Sequence, residues 1–97
     1  MAPAVRARFV VGGLTDASQA KDIVVSRVRL HQASHPGARI GQSVGAVLDD
    51  LTFVESGRLL GALKKQPGVA GLPDGQAATA VIDLLIKHCQ GVIDVPS

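Results

Sequence analysis

Three interruptions divide this chain into stretches whose apolar residues recur every three or four positions: Pro36-Gly37, Thr52, and the segment 67–75, which holds three glycines and two prolines. Proline lacks the N–H a helix needs and glycine loosens the backbone, so each stretch must form its own element and pack against the others. Ile40, Val44, Val47, Leu48 and Leu51 draw an apolar stripe with Arg39, Gln42, Ser43, Asp49 and Asp50 off it, which predicts an amphipathic helix over 40–51. Thr52-Phe-Val-Glu55 then has the preferred residue pair of a capping box, so a new helix begins at Phe53 and runs to about Lys65. Its expected buried face is Phe53, Ser56, Leu59, Leu60 and Leu63, and its solvent face Glu55, Arg58, Ala62 and Lys65. The last stretch predicts a helix from Gly75 to Gln90, capped by Asp74 and ended by Gly91 in the left-handed conformation. Only Ala80, Asp83, Lys87 and Gln90 form a polar strip on it. The remainder, Ala77, Ala78, Val81, Ile82, Leu84, Leu85, Ile86 and Cys89, requires a central position or an interface.

The N-terminal part is less uniform. Residues 5–11 alternate apolar and polar up to Gly12-Gly13, which predicts a short strand. Asp16-Ala-Ser-Gln19 carries capping-box residue types and starts a helix. Two readings stay open beyond it. Ala17, Ala20, Val24, Val28 and His31 form one helical face, whereas Ile23 to Leu30 also alternates and is rich in β-branched residues, which favour strands. The cap, the tail Gln32-Ala33-Ser34 and the stop at Pro36 favour a single helix over a short helix followed by a strand. Val92-Ile93-Asp94-Val95 has the make-up of a strand that could pair with 5–11. The expected fold class is mainly α (helix-rich α+β), a compact bundle of about four helices with a short N-terminal strand, forming one domain over 1–97.

Composition limits the alternatives. Hydrophobic residues make up 46% of the 97 positions and charged residues 19%, which excludes a disordered tail and gives enough apolar surface for one modest core. Tryptophan and tyrosine are absent, so the core must be aliphatic apart from Phe9 and Phe53, both assigned to it. Ring platforms on which single-stranded nucleic acid could stack are therefore missing. Cys89 alone closes no internal disulfide, and no Cys/His set has zinc-finger spacing. Phe9-Val10-Val11 and Leu84-Leu85-Ile86 fall far short of the ~20 apolar residues of a membrane helix. No secretory signal is evident, and Arg6 and Arg8 without neighbouring acids match a transit peptide only faintly, so the expected compartment is the cytoplasm.

Four features bear on function. Residues 1–40 carry six bases against two acids, and 41–97 four bases against six acids. With 23–31 as a strand, Arg6, Arg8, Arg27, Arg29 and His31 would line one face as a phosphate-binding ribbon; the plainer reading is a set of solvated helix faces. Gly37, Gly41 and Gly45, then Gly57 and Gly61, repeat at four-residue steps, and each interior glycine costs a helix about 1 kcal/mol relative to alanine. A close backbone approach, by a neighbouring helix or another subunit, would offset that cost. Catalytic pairings are poor: Asp49-Asp50 and His88-Cys89 are neighbours whose side chains diverge by about 100° on a helix. His31 and His35 share a face but lack a third ligand, so neither metal nor cofactor is expected. The junction 50–53 has helix-turn-helix length, yet Lys64-Lys65 lie at the wrong end of the second helix to meet DNA. The expected function is a small non-enzymatic interaction or assembly module, self-associating or docking on a protein through Gly41, Val44, Gly45, Leu48, Ile82 and Ile86, with no membrane partner. The alternative is a DNA- or RNA-binding regulator using Arg6, Arg8, Arg27 and Arg29.

Overall fold

Residues 23–31 are helical, which settles the two readings of that stretch. The computed structural model describes residues 17–93 as α1 (Ala17–Ser34), α2 (Ile40–Asp49), α3 (Phe53–Leu63) and α4 (Asp74–Val92), with no strand among the described residues. The strand expected over 5–11, the Asp16 cap, Phe9, and Asp94 and Val95 of the expected C-terminal strand lie outside the described residues; Val92 closes α4. β-branched residues tolerate a helix when their methyls are buried, and Ala20, Val24 and Val28 form a fully buried row down α1. That row meets Ile40, Val44 and Val47 of α2, Leu59 and Leu63 of α3, and Ala77, Val81, Leu85 and Cys89 of α4 in one aliphatic core. α1 and α4 each pack against all three other helices.

The capping box at Thr52 forms as its residue types dictate: the Thr52 N–H donates to Glu55 Oε1 at 2.9 Å, and the Glu55 N–H donates to Thr52 Oγ1 at 3.0 Å. Half of a second box starts α2, where the Arg39 N–H donates to Gln42 Oε1 at 2.8 Å. α4 has no such device. Asp74 is its first residue, not its cap, and its carboxylate instead meets Lys64 Nζ at 3.6 Å on the surface. Gly91 lies inside α4, and among the described residues the positive φ angles belong to Gly68 (89°) and Gly71 (84°). These two glycines turn the α3–α4 connection so that Val69 is thrust into the core, 1% exposed.

The phase of α3 differs from the sequence reading. Phe53, expected in the core, is 95% exposed, and Ser56 is exposed as well, whereas Ala62, expected in solvent, packs against the core. Six residues separate Phe53 from Leu59, a rotation that places it about 120° from the buried row. Ala80 of α4 likewise leaves the expected polar strip to pack on the core, while Ala78 and Ile82 face outward.

Two measurements check this account. Gly68→Ala should lower unfolding stability by about 1 kcal/mol in denaturant melts, because an L side chain at that φ is strained even with open space around it. The second concerns acid. The Thr52 backbone N–H, opposed by desolvation and assisted by the Arg27 charge, holds the Glu55 carboxyl below its ordinary range. A depressed carboxyl pKa contributes stability that is present above the unfolded value and is lost as pH falls through the folded value. Glu55→Gln should therefore flatten the acid limb of the stability–pH curve below about pH 4, where the native chain loses this contribution.

Candidate functional site

Ser43 is the single buried polar side chain of the described residues, 0% exposed, and the helices explain how it is tolerated. It stands three residues after Ile40 and four before Val47, inside the buried arc of α2 rather than off the stripe as the sequence suggested. The last turn of α1 supplies its partners: Gln32 Nε2 donates to Ser43 Oγ at 2.6 Å, and His31 Nδ1 lies 2.8 Å from the same oxygen. Gln32 Nε2 also donates to the Ala38 carbonyl at 2.9 Å, tying the 35–39 connection to α1. A serine beside a histidine nitrogen has the spacing of a nucleophile and its base. Here the hydroxyl is sealed from solvent and already shared with an amide, so no substrate carbonyl can reach it.

The other candidate chemistries are separated rather than assembled. Cys89 is buried, and desolvation pushes its thiol up against the opposing pull of the Arg29 charge. A thiol held protonated is a poor nucleophile. Asp49 ends α2 and Asp50 follows it, both exposed to solvent. Among the described residues no group of three or more His, Cys, Asp or Glu is placed to hold a metal ion. His31 and His35 do share a face, with rings stacked 4.3 Å apart and 13° from parallel. A cleft of about 340 Å³ opens between the 67–69 turn and α4, with Asp83 and Lys87 on its wall; both are exposed, and no buried polar group converges on it.

Of the four arginines expected at a nucleic-acid face, the two on described residues are engaged within the fold. Arg27 approaches Glu55 at 3.7 Å, and Arg29 donates to the Val92 carbonyl at 3.2 Å. Because 23–31 is helix, the ribbon that needed a strand there does not form, and Arg6 and Arg8 lie outside the described residues.

The six residues expected at an interface are partly brought together. A Cβ on Gly41 would stand 3.9 Å from Ile86 Cδ1, ordinary van der Waals contact, so the Gly41 edge of α2 lies beside the Ile82–Ile86 edge of α4. Gly45 and Leu48 continue that flank of α2, and Ile82 is 40% exposed one turn before Ile86. Val44 is fully buried and supports the flank from below. Among the described residues no helix uses the glycine steps for a close backbone approach: nothing lies within 4 Å of a Cβ built at Gly45, Gly57 or Gly61.

Sequence reasoning passed over Ser43, Gln32 and the exposed pair Phe53 and Val54, 95% and 57% exposed. Ser43 was legible from its spacing to Ile40 and Val47; Phe53 was not, since whether its ring or Leu59 and Leu63 are buried depends on how α3 packs against the other helices. No described helix is long and apolar enough to cross a membrane. No family model, no curated protein and no solved structure matches the chain.

Two outcomes follow from this geometry. Cys89 should react with a thiol reagent at neutral pH at least tenfold more slowly in the native chain than in the unfolded chain, measured by absorbance with and without denaturant. Gly45→Ala should raise unfolding stability in dilute solution by up to about 1 kcal/mol, since the helix regains alanine's propensity and the new methyl meets no atom of the described residues.

Proposed function

We propose that this chain is a small non-enzymatic interaction or assembly module that self-associates through apolar surface its own core does not cover. The observation that carries the reading is Phe53, 95% exposed beside Val54 at 57%, on a helix start held rigid by the Thr52–Glu55 capping box. An exposed ring on a fixed backbone loses little conformational freedom on being covered, which is why aromatic anchors dominate interface energies. The α2–α4 flank of Gly41, Gly45, Leu48, Ile82 and Ile86 is the second apolar surface in the proposal. At Gly45 a Cβ would meet no atom of the described residues, and a second backbone could use that room. Engagement of Arg27 and Arg29 within the fold leaves the nucleic-acid reading without a specific observation in its favour.

The test is sedimentation velocity on the native chain and on Phe53→Asp across a hundredfold concentration range. The expected result is a concentration-dependent oligomer that Phe53→Asp weakens at least tenfold, with unfolding stability unchanged to within about 0.5 kcal/mol because the site is at the surface. A native chain that stays monomeric throughout overturns self-association.

A further inference from the structure

We infer that α3 pairs with α3 of a second copy, antiparallel about a two-fold axis, along the exposed face that begins at Phe53. The inference rests on the self-association reading and names the face and the symmetry by which it occurs. At about 100° per residue, Gly57 and Gly61 stand about 40° and 80° round the helix from Phe53, so both lie between its ring and Val54 at about 100°. All four residues are exposed, and nothing lies within 4 Å of a Cβ built at either glycine. Interior glycines weaken a helix, and no described residue comes close enough to use the room these two leave. The outward face of α3 is therefore a strip of bare backbone with an aromatic ring at one end.

That strip is complementary to its own reverse. Turning a second α3 about the level of residue 59 sets Gly57 of one copy against Gly61 of the other, Val54 against Lys64, and Phe53 against Lys65. Glycine facing glycine lets the two axes approach to the ~8 Å lower end of helix packing distances. Phe53 lies six residues, about 9 Å, from the two-fold axis, and so meets the end of the second copy's α3. There the methylene stem of Lys65 can cover the ring while its ammonium stays in water. Lys65 is exposed and has no ion pair among the described residues. Charge selects the same direction. Asp49 and Asp50, both exposed, precede α3, and Lys64 and Lys65 follow it, so antiparallel copies set acidic ends beside basic ends, whereas parallel copies oppose like charges. A two-fold contact uses the same patch on both copies and closes at two. One helix of 11 residues from each copy falls short of the ~1,200 Å² of a standard interface, so the pair forms at micromolar concentrations or above.

The experiment is sedimentation velocity on the full chain, on Gly57→Gln and on Gly45→Gln, up to about 1 mM. Glutamine is a good helix former and a Cβ has open space at both positions, so each variant keeps the fold and only fills the room a second backbone would use. The expected result is a monomer–dimer equilibrium without larger species, weakened at least tenfold by Gly57→Gln and less than twofold by Gly45→Gln. The melting temperature of Gly57→Gln in dilute solution should be no lower than that of the native chain. Direction is read from cross-linking. Under mild oxidation a mixture of Gly57→Cys and Gly61→Cys should form the mixed disulfide at least threefold faster than either variant alone forms its own, because like positions are offset by about 6 Å along the helix. Faster like-pair disulfides overturn the antiparallel arrangement. A dimer that Gly57→Gln weakens less than tenfold overturns the α3 pairing and leaves self-association standing, whereas a native chain that stays monomeric throughout overturns both.

Discussion

The fold depends on the narrow row Ala20, Val24 and Val28, which lets α1 lie against α2, α3 and α4 together. The distance between packed helices is set by the side chains at their contact, and a row limited to methyl and isopropyl groups permits close approach along its whole length. The facing rows, Val81, Leu85 and Cys89 on α4 and Ile40, Val44 and Val47 on α2, are aliphatic too, so contact area comes from many small groups instead of a few rings. Enlarging any member of the α1 row would push three helices apart at once. Packing of this kind is sensitive to volume, and aliphatic side chains carry no directional bonds to sharpen the rotation that burial selects.

Direction comes from polar groups at the margins of that core. Ser43 accepts from α1 at the α1–α2 junction, and Arg27 reaches across from α1 to Glu55 on α3. Glu55 is held by Thr52 below and faced by Arg27 beside it, with 17% of each ion-pair side chain exposed. A pair at 3.7 Å near the surface contributes at most about 1 kcal/mol, but a rotated α3 would have to give up both this pair and the burial of Leu59 and Leu63. Modest polar contacts reinforce the phase that the buried leucines favour.

This division explains what was legible in the sequence. Helix existence and ends follow from local signals: Pro36, Thr52 and the 67–75 glycines and prolines punctuate the chain, and each break falls between helices. Ser43 and Ala62 were misplaced because a residue type was weighed above its angle on the helix. Phe53 was misplaced for a different reason. Its side chain is the most hydrophobic of the first turn of α3, and what leaves that turn outward is the burial of Leu59 and Leu63 against the other helices, with Glu55 drawn to Arg27, 28 positions away in sequence. The interface set divided along the same line: Gly41 and Ile86 meet because α2 and α4 pack, a tertiary fact, while Val44 was already on the buried stripe that periodicity reveals.

The same constraint bears on why apolar surface stays open at α3. Burying Phe53 within this chain would require turning α3 by about 120°, which carries Leu59 and Leu63 out of the core and Glu55 away from Arg27. Two buried leucines at roughly 1.5–3 kcal/mol each outweigh one phenylalanine, so the observed phase is the stable one and the ring is left outside as its consequence. The exposure of Phe53 is therefore fixed by the core and does not relax by local adjustment. A surface feature imposed in this way is rigid before any partner arrives, which is the condition under which a single exposed ring can anchor an association.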